Sequence, residues 1–185
     1  MQLEFNLDSK SVLYHGTIDF YVEHIVNKGI SIVNREIVDS DFGNGFYMTV
    51  DNFNQAKEWA EYTARHPRPI KQLLCEMNKS VDDFLEQRMR MKPIVIAFRI
   101  NDILCFERLN KQIYTVDSLR WKEFVVENRS GGTIHLYDWV YGPVADGGIQ
   151  SLYPSEIKAY NGYNQLSVHT KEAINCIEIL EVIEC

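Results

Sequence analysis

The nine residues Asp41-Phe-Gly-Asn-Gly-Phe-Tyr-Met-Thr49 join two closely spaced glycines to a short aromatic, β-prone run. Glycines in this arrangement permit positive φ angles and a close approach of the backbone to a ligand. The run after the second glycine predicts a strand, in which Phe46 and Tyr47 point to opposite faces. One ring can then pack in the core while the other faces a cleft. Taken alone, the stretch favours a glycine-kinked hairpin with an ordinary core aromatic, so its meaning depends on the rest of the chain.

The composition is that of a globular chain. Its 185 residues are 45% hydrophobic and 24% charged, with a net charge of −7, which suits one domain over 1–185 with a sizeable core. The acidic balance argues against binding nucleic acid through bulk electrostatics, although a local patch can still hold such a substrate. The cysteines form no CxxC pair and the histidines lack metal-ligand spacing, so we expect no metal site.

The expected location is the cytoplasm. The sequence shows no secretory signal and no apolar run long enough to span a membrane. The scattered cysteines therefore suit free or buried thiols in a reducing compartment, and no membrane partner is expected. An effector exported without a cleaved signal would have the same features.

Strand and helix signals are interleaved irregularly, which predicts an α+β fold rather than a doubly wound α/β sheet. The first strand, 11–14, ends at His15, and a helix that begins at Asp19 stops at Gly29. Further strands are expected over 29–33, 93–98, 103–106, 133–140, 163–168 and 176–184, and a turn over 141–148. A helix is expected from Asp51 or Asn52 to Arg65, and further helices after Asp117 or Ser118 and after Thr170. Residues 66–92 are expected to form an accessory helical section, in which Ser80 and Asp83 resemble a capping box.

Three separated motifs carry the functional prediction. They are Leu13-Tyr-His-Gly-Thr17 at the end of the first strand, Gly43-Asn-Gly-Phe-Tyr-Met-Thr49, and Tyr163-Asn-Gln-Leu-Ser-Val168 in a late strand. Each motif alone is weak. Neither a dinucleotide-binding GxGxxG after a strand nor a P-loop is present, and the Asp-Phe-Gly triplet lacks the other kinase motifs.

In this order and spacing, the motifs resemble the ADP-ribosyltransferase superfamily, in the branch shared by diphtheria toxin and the poly(ADP-ribose) polymerases. That branch has a histidine–tyrosine–glutamate triad, which corresponds here to His15, Tyr47 and Gln165. The resemblance covers residues 12–60 closely and 160–180 more loosely. It implies an ADP-ribosyltransferase-like fold of two small packed β-sheets with flanking helices and an NAD cleft between them.

The chain is similar, more closely, to a bacterial family of uncharacterised domains. The shared features are YHGS/T, DFGxGFYxT with a following QAxxWA helix, a GPVAD turn and a late [ND]Q-hydrophobic-x-[FV]HT segment. They lie here at 14–17, 41–49, 55–60, 142–146 and 164–170. Members of this kind are often linked with toxin–antitoxin or phage-defence loci. The resemblance therefore implies an intracellular toxin with an antitoxin protein as a possible partner.

The resemblance also implies roles for individual residues, with NAD as a substrate and no metal. The backbone of Gly16 would hold the nicotinamide carboxamide, and Tyr47 would stack on the nicotinamide ring. His15 would hydrogen-bond the adenosine ribose, and Gln165 would bind a hydroxyl of the nicotinamide ribose. Further NAD-binding candidates are Thr17, Gly45, Thr49 and Trp59.

Trp59 is the candidate for a second stacking aromatic. The family places that ring on the helix after the tyrosine strand, where this chain has Glu58 with Trp59 beside it. The same helix has an apolar face, formed by Phe53, Ala56, Trp59, Ala60 and Thr63, so Trp59 alternatively packs in the core.

Gln165 departs from the ADP-ribosyltransferase triad, which has a glutamate at this position. A carboxylate accepts a hydroxyl hydrogen bond strongly and stabilises positive charge on the ribose, whereas neutral hydrogen bonds are roughly half as strong. We expect mono-ADP-ribosyl transfer from NAD to a macromolecule, with protein slightly favoured over nucleic acid as the acceptor. The alternatives are NAD glycohydrolysis and a non-catalytic NAD or ADP-ribose binding module. A nearby carboxylate such as Asp146 is a candidate to compensate for the missing charge.

Overall fold

The computed structural model describes residues 5–34, 40–129, 135–146 and 153–185. Within these residues, seven strands form one mixed sheet in the order β4-β5-β6-β2-β1-β3-β7. The strands are β1 Val12–Ile18, β2 Phe46–Val50, β3 Pro93–Ile100, β4 Lys111–Ile113, β5 Trp139–Asp146, β6 Lys158–Val168 and β7 Ile177–Glu184. Every pairing is antiparallel except that of β4 with β5.

Several helices begin at side-chain caps that the sequence supplies. Asn52 accepts a hydrogen bond from the Gln55 amide at 3.1 Å, and Ser80 and Asp83 form a reciprocal capping box. The helices are α1 Asp19–Lys28, α2 Phe53–Arg65, α3 Lys71–Glu76, α4 Val81–Gln87, α5 Ile103–Arg108, α6 Leu119–Arg129 and α7 Lys171–Asn175, with 3-10 turns at Arg88–Arg90 and Pro154–Glu156.

Helices cover both faces of the sheet. On one face, α1 and α4 contribute Phe20 and Phe84 to the largest buried cluster. On the other face, α2 packs against β1 and β3 through Ala56 and Ala60. Helix α6 places Trp121 in a separate cluster with β5. The second face of β2 and β6 therefore lies between α2 and α6.

The shortest strand pairing in the sheet is that of β1 with β2. The two strands pair over only two residue pairs, Leu13 with Val50 and Tyr14 with Thr49. Beyond Tyr14, β1 continues along β3, whereas the first residues of β2 pair with β6. The expectation of two small packed sheets is corrected: the strands form one seven-stranded sheet, because β2 pairs with β1 on one edge and with β6 on the other. Near its centre the sheet splits, where β1 and β2 separate.

The predicted α+β class is confirmed, as are several elements. Helix α2, the capping box and strand β3 lie where the sequence places them. Helices also occupy much of the predicted accessory section over 66–92. The strand expected over 29–33 is wrong, because no strand forms there.

Two further local predictions are wrong. The run 103–106 belongs to helix α5, because the side chain of Asp102 accepts the Cys105 amide at 2.9 Å and caps a helix. The turn expected over 141–148 is strand β5 as far as residue 146, and its last two residues lie outside the described residues. Pro143 fits because the register shifts between it and Ala145, so no ladder N–H is required there.

The strand expected over 133–140 is also displaced. Strand β5 begins at Trp139, while residues 133 and 134 lie outside the described residues. The hydrogen bonds of Asp138 with Asn110, through both backbone and side chain, lie just before this strand and fix its start beside β4.

Candidate functional site

His15 lies where strands β1 and β2 part. Its neighbours Tyr14 and Gly16 face α2, so alternation directs the imidazole toward the opposite face. The ring stacks there on Phe46 with a centroid distance of 4.1 Å, and its Nδ1 lies 2.7 Å from the carbonyl oxygen of Tyr47. The side chain thus bridges the gap and satisfies a backbone carbonyl that faces away from β6.

The partner of Nδ1 fixes the protonation state of His15. A carbonyl oxygen only accepts, so Nδ1 carries the proton. Burial lowers the pKa of His15 to about 4, against a smaller raising effect of the bond to Tyr47. The ring is therefore neutral near neutral pH, and Nε2 has a free lone pair. No hydrogen bond from a described residue engages Nε2, so His15 presents an acceptor suited to a hydroxyl group.

Tyr47 is half-buried on the face between α2 and α6. Its hydroxyl donates to the Gly43 carbonyl oxygen at 2.7 Å and accepts from the Phe42 amide at 3.0 Å. The ring lies nearly parallel to Phe42, with centroids 6.3 Å apart. These contacts fix the orientation of the Tyr47 ring. Phe46, the residue before Tyr47 in β2, is buried in the core.

Gln165 lies on the same face as Tyr47. Strand β6 places Ser167 opposite Tyr47, and Gln165 is two residues away on that face. The side-chain nitrogen Nε2 donates to Oδ2 of Asp41 at 2.5 Å. Asp41 is buried, and its Oδ1 lies 2.6 Å from the Arg129 guanidinium. The structure therefore brings Tyr47 and Gln165 together through the 41–43 segment. The His15 imidazole lies on the opposite face of the sheet and contacts Tyr47 through its backbone carbonyl oxygen.

Asp146, the carboxylate suggested from the sequence, is exposed at the end of β5, where it lies opposite Lys158 of β6 in the sheet. The Cα partner of Gln165 on β5 is Gly142. The carboxylate that contacts Gln165 is Asp41, and a compensating role for Asp146 stays a prediction.

Backbone conformation requires a glycine at position 43, and side-chain packing requires one at position 45. Gly43 has a φ of +82°, in the left-handed region. A Cβ at Gly45 would lie 2.7 Å from Cε1 of His169. That imidazole bonds the Asn44 carbonyl oxygen through Nδ1 and the Ser167 hydroxyl through Nε2, both at 2.7 Å. The missing side chain of Gly45, a predicted NAD-binding residue, is thus required by the packing of His169.

Two neutral imidazoles hold the turn over residues 42–44. The rings of His135 and His169 are 4.4 Å apart, and Nε2 of His135 donates to the Phe42 carbonyl oxygen at 2.8 Å. Burial, together with the neighbouring His135, lowers the pKa of His169 to about 3. Burial also lowers the pKa of His135. The turn that anchors Tyr47 therefore depends on uncharged histidines.

Gly16, Thr17 and Thr49 have structural roles beside their predicted ones. A Cβ on Gly16 would lie 2.1 Å from the Ala56 carbonyl oxygen, so α2 lies too close for any side chain. Thr17 is buried, and the Thr49 hydroxyl donates to the Asn52 carbonyl oxygen at 2.7 Å. The edge of β1 at Gly16 that faces β2 has no paired strand among the described residues.

Trp59 is 59% exposed and stacks on Tyr62 with a centroid distance of 5.6 Å. The alternative that Trp59 packs in the core is therefore wrong. The buried side of α2 is formed by Gln55, Ala56 and Ala60, and Trp59 lies outside it. A ring this exposed is available to a ligand or a partner.

Polar side chains of α2 hold the part of β6 that carries Gln165. The Gln55 side chain donates to the Asn164 carbonyl oxygen at 2.9 Å and accepts the Asn164 amide at 3.3 Å. Glu58 accepts a hydrogen bond from the Tyr163 hydroxyl. The backbone on the N-terminal side of Gln165 is thereby fixed against α2.

The described residues contain no group of three or more His, Cys, Asp or Glu side chains that could hold a metal ion. No helix among them is long and apolar enough to cross a membrane. Open surface depressions occur beside α3 and α4, and next to β4. Neither depression includes a residue of the predicted triad.

Sequence reasoning missed Asp41 as the partner of Gln165 and Arg129 as the partner of Asp41. Asp41 is 88 residues from Arg129 and 124 residues from Gln165 in sequence. Local patterns do not reveal contacts over such separations. The sequence offers one signal for them, an acidic residue directly before the glycine turn.

The fold and the site together define an α+β protein with polar side chains around a split in its central sheet. A family model described as "Protein of unknown function (DUF3990)" matches residues 11–154, and the chain belongs to this family. No curated protein and no solved structure matches the chain.

Proposed function

We propose that the chain binds NAD in the gap between β1 and β2 and transfers its ADP-ribosyl group to a macromolecular acceptor. The observation that carries this proposal is His15, a neutral imidazole whose Nε2 is an available acceptor beside the gap. Tyr47 adds a ring held at its hydroxyl by two hydrogen bonds. The resemblance to the ADP-ribosyltransferases supplies the reaction.

The residues present suit the parts of NAD. Nε2 of His15 accepts a hydroxyl of the adenosine ribose, and the unpaired edge of β1 at Gly16 offers backbone groups to the carboxamide. The Tyr47 ring offers a flat face to the nicotinamide. Gln165 accepts a hydroxyl of the nicotinamide ribose through Oε1, since its Nε2 is bound to Asp41.

The reaction breaks the bond between nicotinamide and ribose through a transition state with positive charge on the ribose. Positioning and electrostatic stabilisation account for most of the catalysis in such a step. The chain holds its polar groups on rigid strands, which favours positioning. An acceptor nucleophile on the macromolecule then takes the ADP-ribosyl group, and the released nicotinamide leaves.

A non-catalytic NAD or ADP-ribose binding module is the second candidate. The observation that favours it is the charge balance around Gln165. The amide is neutral, and the Asp41 carboxylate is ion-paired with Arg129 at 2.6 Å. The site therefore supplies less negative charge to the ribose than a glutamate would. Hydrolysis of NAD by water is the third outcome to be separated from transfer.

An experiment with NAD labelled in its adenylate half separates the three candidates. Transfer places the label on a macromolecule when the chain is incubated with a bacterial lysate. Hydrolysis yields free labelled ADP-ribose, and pure binding leaves NAD intact. Loss of the labelled product on protease or nuclease treatment identifies the acceptor class, for which we propose protein. Intact NAD under all conditions contradicts an enzymatic function.

The biological setting that we propose is that of a bacterial toxin acting in the cytoplasm, neutralised by a partner protein. The family resemblance supports it. The test is growth of bacteria that express the chain, compared with the His15→Ala variant. Equal growth arrest by both chains contradicts a toxic activity at this site.

A further inference from the structure

Asp41 is a buried carboxylate surrounded by four hydrogen-bond donors. Oδ1 accepts from Nε and Nη2 of Arg129 at 3.0 and 2.6 Å. Oδ2 accepts from the Ala145 amide at 2.8 Å and from Nε2 of Gln165 at 2.5 Å. Only a group that accepts on both oxygens satisfies this arrangement, and among side chains that is an ionised carboxylate. An asparagine here would face a donor with its own NH2 group.

The carboxylate determines which way the Gln165 amide points. A carboxylate cannot donate, so the amide nitrogen must face Asp41 and the carbonyl oxygen Oε1 must face away from it. No described residue donates a hydrogen bond to Oε1. The backbone of this part of β6 is fixed by pairing with Gly142 and by the contacts of Gln55 with Asn164. The direction of Oε1 therefore follows from one charge-assisted hydrogen bond.

A glutamate at position 165 would not fit beside Asp41. Two carboxylates at hydrogen-bond distance cannot both be ionised, so one must keep a proton or turn away. The donors of Arg129 already face the other oxygen of Asp41. The surroundings of this site therefore suit an amide, although the ADP-ribosyltransferase triad has a carboxylate at this position.

We propose that Asp41 is a positioning residue that holds the Gln165 amide with its carbonyl oxygen toward the ribose of NAD, so that glutamine is the functional residue at this position and glutamate is not. The inference rests on the proposed function. It identifies the departure from the family triad as an adaptation to a buried acidic neighbour.

The test compares the wild type with Gln165→Glu, Asp41→Asn and the double variant, and follows nicotinamide release across pH. Gln165→Glu is expected to lower kcat at least about tenfold near pH 8, the effect of losing one oriented hydrogen bond in the transition state. Its activity recovers toward acid, where the two carboxylates share a proton. The double variant is expected to exceed Gln165→Glu, because an asparagine can donate to the new carboxylate. Gln165→Met, which has similar size and no amide, serves as the control for loss of the acceptor.

Unfolding of the wild type, Gln165→Glu, Asp41→Asn and the double variant without NAD provides a second readout. Direct pairing makes the effects of the two substitutions on stability non-additive, and it makes Gln165→Glu less stable near pH 8 than in mild acid relative to the wild type. If the wild type releases no nicotinamide while this coupling is present, the proposed function fails and Asp41 is a structural partner alone. Gln165→Glu with wild-type activity near pH 8, or strictly additive effects, overturns the inference itself. If Asp41→Asn does not fold, Gln165→Glu alone decides.

Discussion

The stability of the fold is expected to fall in mild acid because buried imidazoles must stay neutral. The pKa of His15 is lowered to about 4 and that of His169 to about 3, from an ordinary value of 6.5. Between pH 6.5 and the lowered pKa of each histidine, that histidine binds a proton in the unfolded chain but not in the folded chain. The free energy of unfolding therefore decreases as the pH falls below 6.5. Lowering the pH to about 5 costs about 2 kcal/mol for each of these histidines.

The His169→Asn substitution isolates one of these contributions. It removes bonds to Asn44 and Ser167, which lowers stability by a similar amount at every pH. It also removes one titrating group, so the stability lost between about pH 7.5 and pH 5 shrinks by about 2 kcal/mol relative to the wild type. Glu76 and Asp83 have lowered pKa values and lose their contributions only below their ordinary values of 4.5 and 3.8.

The measurement is urea unfolding of the wild type and His169→Asn at closely spaced pH values across this window. The wild type is expected to lose stability steadily in mild acid, and the variant is expected to lose less. A wild type whose unfolding free energy is flat over the window refutes the argument. The argument is also refuted if His169→Asn loses as much unfolding free energy over this pH window as the wild type does.

Three other substitutions test the site. Gly16→Ala places a Cβ 2.1 Å from the backbone oxygen of Ala56, and thermal unfolding should show a loss of about 1–3 kcal/mol; an unchanged midpoint contradicts the close packing of α2. Arg129→Met leaves the buried Asp41 carboxylate without its cation and should cost about 3–5 kcal/mol in urea unfolding, whereas a small effect would show that the carboxylate is solvated. Trp59→Ala, at a ring that is 59% exposed, should change stability by less than about 0.5 kcal/mol, so weaker NAD binding in calorimetry would assign this ring to the ligand, and unchanged binding would exclude it.

Local signals in the sequence predict much of the fold. Helix α2 follows from the Asn52 cap and the small apolar residues Ala56 and Ala60, and β3 follows from an uninterrupted apolar run. The error at 103–106 arose because a short apolar run suits a strand or a helix equally, and the Asp102 cap decided it. The error at Pro143 arose because a register shift tolerates a proline that would otherwise end a strand.

Of the three predicted triad residues, Tyr47 and Gln165 share one face of the sheet, whereas the His15 ring lies on the opposite face against Phe46. The pairing of β2 with β6 that brings Tyr47 and Gln165 together depends on the whole sheet. The role of Asp41 required three partners from distant parts of the chain. The split between β1 and β2 was also outside the reach of local patterns, because it depends on where two strand pairings stop.

The central claim is that His15 supports cleavage of NAD in the gap between β1 and β2. Its most direct test is nicotinamide release from NAD by the wild type, by His15→Ala and by His66→Ala, a control at an exposed histidine on the surface beside α2. We predict release by the wild type and by His66→Ala, with a loss of about tenfold or more in His15→Ala, the effect of one lost hydrogen bond to a substrate hydroxyl. No release by the wild type, or equal release by all three chains, contradicts the claim.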